Sequence, residues 1–417
     1  MCHVLRAHER RWYLQTDEVQ NRQGARRHRI GALPLVLVLL AGLLAWRLFT
    51  QLGGESGPAP VTPSSESAQP SASAGSGSGA TGAFSSPIDS LVGRSLERLP
   101  LRGGLWPTTT IDITTSRYPG LSKAPISRAV GVFEPFAEAG IKPTVLVQGV
   151  DGQLRRLDVV SLSSPTEEAG NQTSVVNADT LDGSGRFMAF PQRDVVVVVD
   201  LADNQVRRIN VPGFNTNVAW IGDRLAVADE VTWKLIDVSK GSWTSLPVPP
   251  SARLVSSQTD LTPASLYAIR EATPAGPATI EVIPNASPVP IQGRASRTLR
   301  MVEEFPASGG RVALTGITPG VDMGANEEGS VVHVVDLSNA TTARSLVLCA
   351  PRRDVRDCGA VRGWLDERSV LVWVYGQRAH QFLRWDMRDG SVSRVVTLNG
   401  QVAGVSLRPR GALRSTS

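Results

Sequence analysis

Four stretches of this 417-residue chain share one design: VVVVVDLADNQVRRINVP (195–212), WKLIDVSKGSWTSLPVP (233–249), VVHVVDLSNATTARSLVL (331–348) and FLRWDMRDGSVSRVVTL (382–398). In each, an apolar run ends in Asp (Asp200, Asp237, Asp336 or Asp386), a short polar turn follows, and a second strand-like run comes after it. The Asp residues are 37, 99 and 50 positions apart, and 99 is close to two periods. A degenerate copy at 278–293 fills the gap, and another lies upstream at 144–160. A recurring strand–turn–strand unit leaves one face of its small sheet uncovered, so the units must stack on one another. This repeat excludes a helical protein and a single large sandwich.

A third strand precedes each hairpin, introduced by a Gly/Asp-rich turn and a basic or polar residue: LDGSGRFMAF (181–190), WIGDRLAVA (220–228), SGGRVALTG (308–316) and WLDERSVLVWV (364–374). Gly and Asp suit tight reversals between antiparallel strands. Units of this kind at 40–50 residues predict an all-β chain, a β-propeller of about six four-stranded blades, with a seventh if 91–125 contributes strands. The last apolar run, QVAGVSLRP (401–409), is left to pair with N-terminal strands and close the ring.

The phrase LDGSGRFMAF resembles the SPDGRxLAF-type motif of TolB-type propellers, and Trp385-Asp386 resembles the dipeptide of WD repeats. The resemblance covers roughly residues 125–410 and implies the propeller fold. The Gly-His pair and a repeated Trp-Asp are missing, so the Asp–His–Ser/Thr network of WD blades is not implied.

The N-terminal fifth of the chain has a different character. Ile30 to Trp46 carries no charge, and Leu48-Phe49-Thr50 extends the run beyond Arg47. At 1.5 Å per residue such a stretch is just long enough to span a bilayer. It is longer than the apolar region of a signal peptide, and no small-x-small site follows it, so 30–50 is expected to be an uncleaved transmembrane helix in contact with the lipid bilayer. Arg22, Arg26, Arg27 and Arg29 place the 1–29 tail in the cytoplasm and everything beyond the span outside the plasma membrane. Residues 51–90 are dominated by Gly, Ser, Ala, Pro and Thr, and read as a disordered linker with a reach of roughly 30 Å. The propeller then occupies 91–417. Of 43 basic residues only Lys123, Lys142, Lys234 and Lys240 are Lys, an Arg bias that points to a GC-rich bacterial genome of the actinobacterial type.

The net charge of +5 resides in the first 47 residues, and the remainder is neutral. A neutral body lacks the cationic face that phosphate binding needs, so no nucleic-acid partner is expected. Beyond the span, Cys349 and Cys358 lie nine residues apart between two expected blades, which favours a disulfide stapling that loop over free thiols or a redox pair. His333 and His380 each fall within an expected strand and are read as structural residues, because two histidines do not make a zinc centre. The acidic stretch 321–330 does not fit known calcium loops. There is no G-x-S-x-G elbow, Walker loop or dinucleotide fingerprint, so no catalytic residue, metal or cofactor is assigned. The sequence is read as a binding or scaffold module for an extracytoplasmic protein, peptide or envelope glycan. A hydrolase or lyase with a channel-centred site, and a transmembrane signalling protein, are the alternatives.

Overall fold

A computed structural model describes residues 86–408, apart from 115–116, 138–140, 168–169, 230–231, 249–251, 258–265, 274–275, 284–286, 299–304, 320–327, 350–357 and 376–378. The expected tail, the span 30–50 with Arg22, Arg26, Arg27 and Arg29, and most of the linker lie outside these residues, as does most of the acidic stretch 321–330. Among the described residues no helix is long and apolar enough to cross a membrane.

The repeat folds into small antiparallel sheets. Blade 1 contains Ala129–Pro135, Leu146–Gly149 and Leu154–Arg156, with Val402–Leu407 as its innermost strand. Blade 2 is Asn217–Ile221, Arg224–Ala228, Trp233–Asp237 and Ser242–Leu246. Blade 3 is Ala252–Ser257, Leu266–Arg270, Thr279–Ile283 and Val289–Pro290. Blade 4 is Phe305–Ser308, Arg311–Pro319, Glu328–Asp336 and Thr341–Val347. Blade 5 is Gly359–Asp366, Ser369–Val374, His380–Asp386 and Val392–Asn399. The first strands of blades 2, 3 and 4 are parallel neighbours. Strands that line a common axis run this way.

The count of six or seven four-stranded blades is corrected to five among the described residues. Between blades 1 and 2 stands a sheet of Phe187–Asp200 and Gln205–Phe214 instead. Its long strand doubles back at Asp194 (φ 61°), because the Leu201 N–H reaches the Arg186 carbonyl at 3.0 Å. Fully extended, those 15 steps would cover about 50 Å. Its inner edge is reduced to a single bridge, Leu181 to Met188. The cause is local. Asn177 Oδ1 accepts the Asp179 N–H, and the Thr180 hydroxyl accepts the Asn177 N–H, so side chains compete for the backbone groups a ladder would use. Nor does 91–125 make a separate blade, as its strand Thr110–Asp112 adds to the outer edge of blade 5.

Six apolar cores, one at each junction, join these units into a closed ring. Phe190 and Val197 pack with blade 1, and Val196 and Ile209 with Trp220 of blade 2. Ile221 and Leu235 meet Leu254 of blade 3, and Ile280 meets Leu314 of blade 4. Val332 and Val334 meet Trp364 and Trp385 of blade 5, whose Trp373 and Phe382 pack with Phe133 and Leu146 of blade 1. Val402–Leu407 closes the circle against Ala129–Pro135. Six of the seven Trp from 106 to 385 are buried in these cores, and Trp243 is exposed.

The signature Asp residues occupy equivalent places, each ending the strand that leads into the outermost hairpin of its sheet and capping the turn after it. Asp200, Asp336 and Asp386 each accept a backbone N–H two residues on, from Ala202, Ser338 and Arg388 at 3.0, 2.9 and 3.0 Å. Asp237 accepts that of Lys240 at 3.1 Å. An ionised side chain that satisfies a turn N–H explains why Asp recurs there. The basic residue opening a preceding strand also has a role, since Arg186 pairs with Asp200 at 2.7 Å.

The last three residues assigned to the linker are ordered instead. Ile88–Ser90 forms a strand parallel to Thr341–Val347. The chain then lies along the outer edges of three successive blades: Ile88–Ser90 on blade 4, Leu101 and Thr110–Asp112 on blade 5, and Gly120 on blade 1. Asp89 anchors this belt, receiving two hydrogen bonds from the Arg344 guanidinium (2.6 and 3.0 Å) and one from the Trp385 indole (2.8 Å). Composition reads Asp89 as solvated, but its partners lie about 250 residues or more downstream.

Candidate functional site

At one end of blade 5 four side chains converge. Trp373 is the last residue but one of the second strand, Tyr375 follows its end at Val374, and His380 opens the third. The ladder of the first two strands slips between Val361 and Gly363, a bulge at Arg362 that turns it onto Trp373. The Arg362 guanidinium carbon is 4.5 Å from the Trp373 ring centre. The Trp373 and Tyr375 rings are 4.5 Å apart, and His380 stands edge-on to both at 5.3 and 5.5 Å. Trp373 and His380 are buried, whereas Tyr375 is 38% exposed and forms the outer wall.

Trp373 Nε1 and His380 Nδ1 are buried and have no hydrogen-bond partner among the described residues. Buried polar groups are almost always satisfied, because leaving one unpaired costs about 1–3 kcal/mol. Burial also pulls the His380 pKa down, so the imidazole is neutral and can face either a donor or an acceptor.

The second and fourth strands of an antiparallel sheet end on the same side. Tyr375 therefore shares its side with Gly400 and Gln401, which follow the fourth strand of blade 5. There a cavity of about 370 Å³ opens between blades 5 and 1, lined among others by Tyr118, Phe136, Leu146, Arg156 and Gln401. Leu146 belongs to the same apolar core as Trp373. Phe136 is 56% exposed. The Tyr118 phenol donates to the Asp112 carbonyl, and burial together with the Asp112 charge pushes its pKa up. It stays a neutral hydroxyl. The site thus offers aromatic faces, a cation and neutral hydrogen-bonding groups, which is equipment for holding a ligand.

The two cysteines lie beside this cluster. Cys349 and Cys358 are joined as a disulfide with Cα atoms 6.1 Å apart, spanning the passage from blade 4 to blade 5. The Cys358 carbonyl accepts the Tyr375 N–H at 2.9 Å, and its N–H donates to the Ser330 hydroxyl at 3.1 Å. The bridge therefore sits against the exposed aromatic.

Other buried charges are engaged in structure. Glu134 accepts hydrogen bonds from the Ser174 hydroxyl and the Val175 and Val176 amides, while burial raises its pKa. Lys234 pairs with Asp229 at 2.6 Å, and Arg408 with Asp179 at 3.2 Å. Among the described residues no three His, Cys, Asp or Glu groups are placed to hold a metal. Glu134, Asp179 and Arg408 escape a sequence reading because their partners are distant in the chain.

His333 is fully buried, and its Nδ1 meets the Ser345 hydroxyl at 2.8 Å. Burial, with Arg294 adding to it, pulls its pKa down to about 3. In the unfolded chain a histidine takes up its proton near pH 6.5, while His333 in the folded ring does not. Its contribution is therefore complete above about pH 6.5 and falls, as pH drops toward 3, by about 1.4 kcal/mol per pH unit. Urea denaturation between pH 7 and 4.5 is expected to show this slope, and His333→Phe to remove it. An unchanged slope in the variant would refute the assignment.

No family model and no curated protein matches the sequence. Among solved structures the chain is similar to TolB from Acinetobacter baumannii, with 12% identity, a TM-score of 0.47, and 67% of this chain and 66% of that one covered. It spans just under two thirds of that protein. It is also similar to the WD40 domain of Toxoplasma gondii coronin (10% identity, TM-score 0.38, 72% and 73% covered) and to AztD from Citrobacter koseri (12%, 0.35, 68% and 89%). At such identities the similarity concerns the fold alone.

Proposed function

We propose that this chain is a bacterial binding module: a β-propeller held on the outer face of the plasma membrane by residues 30–50, which captures a protein, peptide or envelope glycan on the aromatic cluster at the end of blade 5, on the side where the cleft between blades 5 and 1 opens. The observation that carries this reading is the pair of orphaned polar atoms, Trp373 Nε1 and His380 Nδ1, beneath the exposed Tyr375 ring. A ligand that stacks on Tyr375 and places polar groups against these atoms recovers their desolvation cost. Support for the outward placement comes from the charge-free run, the Arg cluster before it and the Gly/Ser/Pro-rich tract after it.

The test uses the full chain in detergent micelles against envelope extracts and purified cell-wall glycan. Tyr375→Ala is expected to weaken the captured ligand about tenfold with an unchanged melting temperature, and Trp373→Phe to weaken it about tenfold with a modest fall in melting temperature. Trp373→Phe keeps a ring in the core and removes the indole N–H together with the five-membered part of the indole. Equal binding by parent and variants would defeat the assignment to this cluster. Protease added to intact spheroplasts is expected to remove the propeller, and full protection of it would defeat the outward placement.

A further inference from the structure

Each sheet of the ring ends in an outer strand with one row of backbone groups turned away from its neighbours. The ring treats these edges unequally. Those of blades 4, 5 and 1 are covered by the chain's own belt, laid parallel in every case. The outer strand of blade 3 is only Val289–Pro290, and Pro290 has no N–H to offer. Gln205–Phe214 carries Arg207, Arg208 and Pro212, residues that discourage strand addition. Ser242–Leu246 of blade 2 has none of these protections. Its sequence, SWTSL, contains no charge and no Pro, its first four residues are exposed, and no described strand pairs its outer side.

We propose that this edge is a docking site for an extended, uncharged peptide segment of a partner, added as a fifth strand to blade 2. The molecule itself shows the mode of occupancy, since extended chain already completes three of its sheets. Main-chain hydrogen bonds supply most of the affinity in such pairing, and side-chain pockets supply selectivity. Trp243 forms an apolar shelf beside the edge. Its indole N–H donates to the Asn210 carbonyl at 3.1 Å, and Lys234 Nζ lies 5.5 Å from its ring centre, so the ring is held in place. The strand offers no charge to pair with a charged segment, and covering a charge against it unpaired is costly, so an uncharged segment fits best. A second copy of this chain is a poorer occupant, because five residues of edge cover far less than the roughly 1,200 Å² of a stable interface. This site is separate from the cleft of blades 5 and 1, and the two stand or fall independently.

The probe is the peptide acetyl-Thr-Val-Thr-Val-Thr-amide, tested on the full chain in micelles by hydrogen-exchange mass spectrometry. Millimolar peptide is expected to slow exchange in 242–246 about tenfold, with no change along the belted edges. The same peptide N-methylated at alternate amides is expected to give no protection. Thr244→Pro and Ser245→Pro form the protein-side control. Neighbouring N–H groups in a strand point opposite ways, so one of the two substitutions removes an outward donor and leaves the blade's own ladder intact. Whichever keeps the parent melting temperature is expected to abolish protection. No slowing in 242–246, equal slowing with the N-methylated peptide, or concentration-dependent dimerisation through this edge without peptide would overturn the proposal.

Discussion

Ending the chain at Gly400 is expected to leave no cooperatively folded ring. The cut removes Val402–Leu407, whose Val405 and Leu407 are almost wholly buried in the core shared by blades 1 and 5. It also removes Ser406, whose hydroxyl donates to the Ala178 carbonyl at 2.6 Å and accepts the Leu181 N–H at 3.0 Å. Arg408 goes as well, and Asp179 loses a buried partner. Burying two such side chains is worth about 3–6 kcal/mol, and losing the buried Arg408–Asp179 pair adds to that cost. With the lost ladder, the total matches the whole net stability of about 5–15 kcal/mol for an ordinary domain. Differential scanning calorimetry is expected to show no transition, and a synthetic 401–409 peptide added in trans to restore one. A truncated chain melting like the parent would mean that the ring does not depend on its closing strand.

Asp89→Ala comes next in size. In the folded chain, burial alone would raise the Asp89 pKa, but the hydrogen bonds from Arg344 and Trp385 and the Arg344 charge outweigh it and hold it low. Alanine leaves the Arg344 guanidinium and the fully buried Trp385 indole without this acceptor, at a cost of about 3 kcal/mol. Because the folded pKa lies below the unfolded value of about 3.9, the contribution is present above that pH and is lost as pH falls through the folded value. The difference in stability between parent and variant, measured in urea, is therefore expected to shrink below about pH 4. Asp89→Leu combined with Arg344→Leu is expected to recover part of the loss, since it removes both charges together. A neutral result for Asp89→Ala would show the belt to be passive.

These two residues mark different limits of sequence reading. The closing strand was legible because QVAGVSLRP is an apolar run left over once the repeats are paired. Asp89 was not, because it sits in a stretch whose composition reads as solvated, and its partners meet it only when the belt wraps blades 4 and 5. The signature Asp residues were visible as a period, yet their task of capping a turn appears only in the hydrogen bonds. The strand count failed at one place for a short-range reason: Asn177 and Thr180 divert backbone groups that a regular inner strand would have used. At the end of blade 5, Trp373, Tyr375 and His380 look like ordinary strand residues in the sequence, and a bulge at Arg362 with the Tyr375–Cys358 contact assembles them.

What the residues alone determined is the class of architecture, since period-two strands repeating every 40–50 positions can bury their faces only against copies of themselves. The order of the blades around the ring and the leftover strand follow from the same pattern. Folding decided which edges stay bare, which charges are locked and where two polar atoms lie unpartnered. Several of those properties depend on groups about 40 to 300 residues apart, such as Glu134 with Ser174, Asp179 with Arg408 and Asp89 with Trp385, and no local pattern encodes them. Patterning acts through the neighbouring residue, whereas electrostatics and hydrogen bonding act through whatever the closed ring brings within reach.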